Sequence, residues 1–282
     1  MSQNDSIELK RWVAKLTSAE LPVLKQTARD LAALREDENK LSARGVSVAI
    51  EADPMMNVKL LRYLQQHKRR SQTNEVIEIE QALIMLGVDT FYTKVPASPL
   101  VQDALTGHTD ALIQLLHVIH RGHRASKYAR DWAIRLNNMH FEEIRIAALL
   151  HDLAEVLMWC FAPQEMLKIR AIQQKDKTLR SRAVQEQVLG FALSDLQQAL
   201  IKEWSLPQLL LTLMDDSNAR QIQVRNVVLA VNLARHSANG WNDAALPDDY
   251  TELGELLRIS PADAMLLVVP DEGVACDLTK PH

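Results

Sequence analysis

His151 and Asp152 are adjacent, His123 lies 28 positions upstream, and Glu155 follows four positions on. An imidazole beside a carboxylate suits Zn, Mn or Fe. Neighbours on a helix point about 100° apart, yet both can reach an ion lying beside the helix between them. Such a centre, with one or two ions, activates water and clamps a phosphate ester. The competing account is a histidine and a carboxylate hydrogen-bonded inside a helical core, and the sequence favours it. Other chemistries fail on spacing. His117, His120 and His123 fall three apart and drift around a helix by about 60° per step, so they form no tight metal site. HExxH spacing is absent. No two of the 8 glycines lie within four positions of each other, which excludes a dinucleotide fingerprint and a P-loop. There is no GxSxG elbow and no CxxC pair.

The element that must position these groups is the stretch 142–161, EEIRIAALLHDLAEVLMWCF. It is built of good helix formers without Gly or Pro, and Pro163 follows as a stop. Leu150, Leu153 and Leu157 occupy one face, with Ile146, Leu149 and Val156 on others. A helix apolar nearly all round belongs in the middle of a bundle. His151, Asp152 and Glu155 cost several kcal/mol to bury there unless they pair or reach a ligand, an ion or a cleft.

Around it the periodicity predicts helices over 7–16, from Leu21-Pro22 to the charged 35–39 loop, and over 42–51. Asp53-Pro54 is a helix start, Asp as N-cap and Pro at the first helical position. That helix ends in the cations of 67–70, where a helix C-terminus favours them. Another spans 77–86 and is closed by Gly87. Beyond the Pro-containing passage 95–100, a helix with Leu112, Leu115, Leu116 and Ile119 on one face is interrupted at Gly122. An exposed helix is expected over 164–185 and an apolar one over 186–204. Trp204-Ser205-Leu206-Pro207 then turns into 209–214. Helices over 224–236 and 250–259 follow, and Ser260-Pro261 starts the last. Strict alternation is nowhere sustained for five residues, so the fold class is all-α.

The 282-residue chain is 47% apolar and 24% charged, an ordinary globular balance, and its net charge of −4 leaves no footprint for nucleic acid. Cys160 and Cys276 are far apart, as in a cytoplasmic protein with two reduced thiols. The polar start MSQNDSIELK lacks a signal-peptide pattern, and no apolar run is long enough to predict a membrane span.

Several short stretches, in order and spacing, resemble an HDOD domain, a regulatory relative of the HD metal-dependent phosphohydrolases. They are Ile50-Glu51-Ala52-Asp53-Pro54 with Leu60-Leu61-Arg62, and Ile79-Glu80-Gln81-Ala82 with Leu86-Gly87. Ala148-Leu149-Leu150-His151-Asp152-Leu153 and Trp204-Ser205-Leu206-Pro207 follow. The resemblance implies an HD-like multi-helix bundle with two helical lobes packed as one unit. An N-terminal helix (1–20) would precede the domain (21–236, lobes about 21–100 and 101–236), and a helical segment (237–282) would follow it. It also implies a bacterial signalling role with no common catalytic activity.

The chain departs from the HD hydrolase pattern at several positions. Glu155 stands where a lysine is common, Phe191 follows Gly190 where a histidine is usual, Asp215-Asp216 replaces a His-His pair, and Asn232 replaces an aspartate. His123, His151 and Asp152 are the surviving ligand types, too few for two metals. No cofactor is expected, although one Zn, Mn or Fe ion with water in its open positions would be compatible with them. The expected function is a non-catalytic regulatory module that binds a protein partner or small ligand beside His151. The alternative is a single-metal phosphohydrolase with Arg121, Arg124 and Lys127 on the phosphate. Glu155, Asp215 and Asp216 predict a negative cleft, short of cations, that disfavours nucleotides. No direct nucleic-acid or membrane association is expected, and the oligomeric state is left open.

Overall fold

Helix-forming segments with few glycines dominate the chain, and no strand occurs among the described residues. The structure is a computed structural model that describes residues 3–37, 39–67, 75–176 and 178–269. The predicted cations at 68–70 and Cys276 lie outside these residues. The first helices are α1 (Gln3–Ser18), α2 (Lys25–Glu36), α3 (Ala43–Ile50), α4 (Pro54–Gln66), α5 (Ile79–Leu86) and α6 (Val88–Lys94). They are followed by α7 (Val101–Ala104), α8 (Thr109–Arg135), α9 (Phe141–Leu150), α10 (Leu153–Phe161), α11 (Pro163–Lys175) and α12 (Ser181–Leu189). The chain continues through α13 (Leu193–Glu203), α14 (Gln208–Leu213), α15 (Ile222–His236), α16 (Leu246–Leu257) and α17 (Pro261–Val268).

Local chemistry explains the ends that the sequence predicts. Asp53 caps α4, its carboxylate accepting from Met55 N and Met56 N at 3.0 Å each, with Pro54 in the first turn. Ser260 caps α17 in the same way, accepting from Asp263 N at 3.1 Å. Gly87 closes α5 at φ 84°, a backbone conformation that side chains with a Cβ disfavour.

Several boundaries differ from expectation. The second helix starts at Lys25, because Val23 is extended: its N–H donates to Pro99 O at 2.8 Å and its carbonyl accepts from Val101 N at 2.9 Å. Helix α8 runs straight through Gly122, whose missing Cβ lets Leu149 O of α9 approach to 3.2 Å of where it would stand. The stretch 164–185 is two helices, α11 and α12, and α11 buries Met166 and Ile169. The stretch 186–204 is divided at Gly190, which adopts a left-handed φ of 81°.

One cluster of buried apolar side chains runs from Leu16 to Val268. Helix α8 is its spine and packs against α9, α10, α11 and α15. Two stretches far apart in sequence meet at Thr17. Arg62 donates to Thr17 O and lies over the Trp204 ring, while Trp204 Nε1 donates to Thr17 Oγ1 at 3.0 Å. These contacts place α4, α1 and the Trp204–Pro207 turn in one rigid corner.

Candidate functional site

The single helix expected over 142–161 breaks at the His151-Asp152 pair, α9 ending at Leu150 and α10 beginning at Leu153. The cause is Gln197 of α13, a buried amide. Its Oε1 accepts from Ala154 N at 2.7 Å, and its Nε2 donates to Leu150 O at 2.8 Å. In an unbroken helix those two backbone groups would bond to each other. An inserted side chain of this kind kinks a helix while satisfying both groups. At this break His151 and Asp152 line a cavity of about 690 Å³, bounded by α8, α10, α11, α12, α13, the 214–217 loop and the end of α15.

His151 has a carboxylate on each nitrogen. Nδ1 donates to Asp152 Oδ1 at 3.2 Å and Nε2 to Asp216 Oδ1 at 2.9 Å. Burial pushes the imidazole down, but these two bonds and the charges behind them outweigh it and raise it to about 9. Burial works against the Asp152 carboxylate as well. The His151 bond and the charges of Arg235, His151 and Arg121 nevertheless hold it well below the usual carboxylate range. Arg121 Nη2 lies 3.4 Å from Asp152 Oδ2 and 3.1 Å from Glu155 Oε2, and Arg235 Nη2 lies 3.6 Å from Asp152 Oδ1. Glu155, expected one turn from the imidazolium, is therefore spent on Arg121 and on Trp159 Nε1 at 3.4 Å.

The remaining predicted residues separate. Asp216 faces His151, whereas Asp215 caps the short turn after it, accepting from Ser217 N and Oγ and from Asn218 Nδ2. His123 does not line the cavity. It lies two positions after Arg121 on α8, about 200° around the helix. Burial first, then Lys127, His120 and Arg145, push it down to about 4, so it is neutral at pH 7. Arg124 also points elsewhere, donating to Ser237 Oγ at 2.9 Å and Tyr128 OH at 3.1 Å beside the Trp241 ring. Lys127 is exposed, and neither it nor Asn232 lines the cavity.

The lining groups that escaped the sequence reading include Gln197, Arg170, Arg182 and Arg235. Arg235 lies one turn beyond Asn232, so the right helix was singled out at the wrong turn. A signal for Gln197 did exist, a lone amide among Leu193, Leu196 and Leu200 on an apolar face. The arginines correct the expectation of a negative cleft. Arg121, Arg170, Arg182, Arg235 and protonated His151 balance Asp152, Glu155, Asp195, Asp215 and Asp216.

The donor set does not fit the divalent ion that an HD fold implies. Both nitrogens of His151 and both oxygens of Asp152 already have protein partners, two of them guanidinium groups. Among the described residues no group of three His, Cys, Asp or Glu side chains is arranged to hold a metal.

The network has a pH signature. A histidine raised in the folded state keeps its proton where the unfolded chain has lost it. Its stabilising contribution is full below about pH 6.5 and disappears as pH rises through about 9. His151→Ala is expected to cost about 1–3 kcal/mol at pH 6 and much less at pH 10. Denaturant titrations of both proteins at the two pH values check this, and a gap of equal size at both would contradict it.

Among the described residues no single helix is long and apolar enough to cross a membrane. No curated protein sequence matches the chain. Solved structures do. A virulence factor from Campylobacter jejuni superposes with a TM-score of 0.68 at 18% identity, covering 97% of this chain and 98% of that one. The MmoQ response regulator from Methylococcus capsulatus gives 0.64 at 16% identity, over 90% and 99% of the two chains. An HDOD domain protein of unknown function from Geobacter sulfurreducens gives 0.50 at 14% identity, over 93% and 94%. At these identities the likeness establishes the all-helical fold. The HDOD domain profile matches residues 21–219, well over half of the sequence, and the chain belongs to the HDOD domain family.

Proposed function

We propose that this protein is a non-catalytic regulatory module of a bacterial, cytoplasmic signalling system, acting through a ligand or protein segment bound in the cleft beside His151. One observation carries the reading. The ligating atoms of His151 and Asp152 are occupied by Asp216, Arg121, Arg235 and each other, so an ion would have to displace several charge-assisted bonds at once. Membership of the HDOD family supports the reading, and the response-regulator name of the Methylococcus structure is in keeping with it.

The test is direct. Protein purified without chelator is expected to carry substoichiometric metal. It is also expected to show no turnover of p-nitrophenyl phosphate or its diester above the His151→Ala background, with or without added Mn²⁺, Zn²⁺ or Mg²⁺. Stoichiometric metal together with turnover abolished by His151→Ala would replace this reading with a single-metal phosphohydrolase.

A further inference from the structure

The charges lining the cleft balance in number but not in engagement. Every carboxylate there already has a protein donor. Asp152 holds His151 and two arginines, Glu155 holds Arg121, Asp216 holds His151, Asp195 holds Arg182 at 2.8 Å, and Asp215 holds the 217–218 turn. Two cations are not engaged to the same degree. Arg170 of α11 is half-buried and has no hydrogen bond or ion pair among the described residues. Arg235 of α15 makes only the long 3.6 Å ion pair, and its side chain is 48% exposed. Among the charged groups of the lining, the least engaged are therefore these two guanidinium groups.

The neutral part of the lining narrows the class. Gln114, Gln173, Gln185 and Gln198 each have at least one amide atom with no partner among the described residues, which suits hydroxyl groups. An aromatic platform for a base is lacking. Among the lining residues Trp159 is the one aromatic, 4% exposed, with its indole N–H held by Glu155. Base recognition relies on such stacking surfaces.

We infer that the cleft binds a small hydroxylated oxyanion, with Arg170 and Arg235 receiving its phosphate or carboxylate and the glutamine amides its hydroxyls. This rests on the ligand-binding reading above and reverses the expectation that anions are disfavoured, because the carboxylates behind that expectation are already paired. A cavity of about 690 Å³ is within the size range of small-molecule sites.

The experiment is calorimetry on the full chain with ribose 5-phosphate, gluconate, inorganic phosphate, ribose and AMP. At least one of the first three is expected to bind, ribose is expected to be silent, and AMP should bind no more tightly than ribose 5-phosphate. The preference between ribose 5-phosphate and gluconate tells phosphate from carboxylate. Arg170→Gln and Arg235→Gln should each weaken binding at least tenfold, whereas Arg180→Gln, outside the cavity, should leave it unchanged. Arg170 makes no hydrogen bond or ion pair among the described residues whose loss would unfold the protein, and the melting temperature of that variant checks its packing. Silence toward all three oxyanions, or full binding in Arg170→Gln, overturns the proposal. Tighter binding of AMP overturns the exclusion of a base. Hydrolysis of ribose 5-phosphate would count against the non-catalytic reading alone.

Discussion

Asp53→Ala is expected to lower the free energy of unfolding by about 3–5 kcal/mol, the largest loss from a single truncation outside the apolar core. The Asp53 carboxylate is completely buried and serves three backbone donors. Oδ1 accepts from Met55 N and Met56 N, and Oδ2 accepts from Leu24 N at 2.9 Å. Two of those donors are the open end of α4, and the third fixes the extended 21–24 segment, where Val23 pairs with the backbone around Leu100. Alanine leaves all three without that partner, two of them fully buried and the third partly so. Asp53→Asn keeps one acceptor oxygen for the cap and is expected to lose about 1–2 kcal/mol. Urea titrations of the two variants test the ordering. An Asp53→Ala protein within 1 kcal/mol of wild type, by the same scale of cap losses, would show that the carboxylate is not what joins the segment to α4.

That residue also shows what the sequence makes legible. An Asp-Pro pair ahead of an apolar helix is a local signal, because the cap and the helix it serves are neighbours in the chain. Ser260-Pro261 and Gly87 were readable for the same reason, and so was the all-α class. The bond from Leu24 to Asp53 was not, because nothing local links positions 29 apart. Gly122 was misread for a similar reason. Glycine ordinarily weakens a helix, but here it admits the backbone of α9, and only the packing shows that. At the cleft, His151, Asp152, Glu155 and Asp216 were named from type and position, and the structure brings them together. His123 and Arg121 were both named, one as a metal ligand and one as a phosphate contact, but they point to opposite sides of α8 and only Arg121 lines the cleft. The arginines that neutralise the carboxylates come from α11, α12 and α15, beyond the reach of any spacing argument.

Gln197→Leu is expected to be the second most damaging change, at about 2–4 kcal/mol, and the reason lies in the kink at His151. Leucine fills much the same space but cannot bond to Ala154 N or Leu150 O, so two buried backbone groups lose their partners together. The chain has one escape. The two groups can bond to each other, which restores the i to i+4 ladder and straightens the helix. Straightening is, however, expected to move His151 away from Asp216, which it reaches at 2.9 Å from the break. The loss then appears as a histidine whose pKa falls from about 9 toward its ordinary value. NMR titration of the His151 ring beside a denaturant titration separates the two responses, and either one identifies Gln197 as the group holding the kink open. Gln197→Glu should fall between wild type and leucine. It retains the acceptor for Ala154 N but sets a carboxylate against the Leu150 carbonyl. A Gln197→Leu protein with unchanged stability and an unchanged His151 titration would mean that the α9–α10 break is set elsewhere.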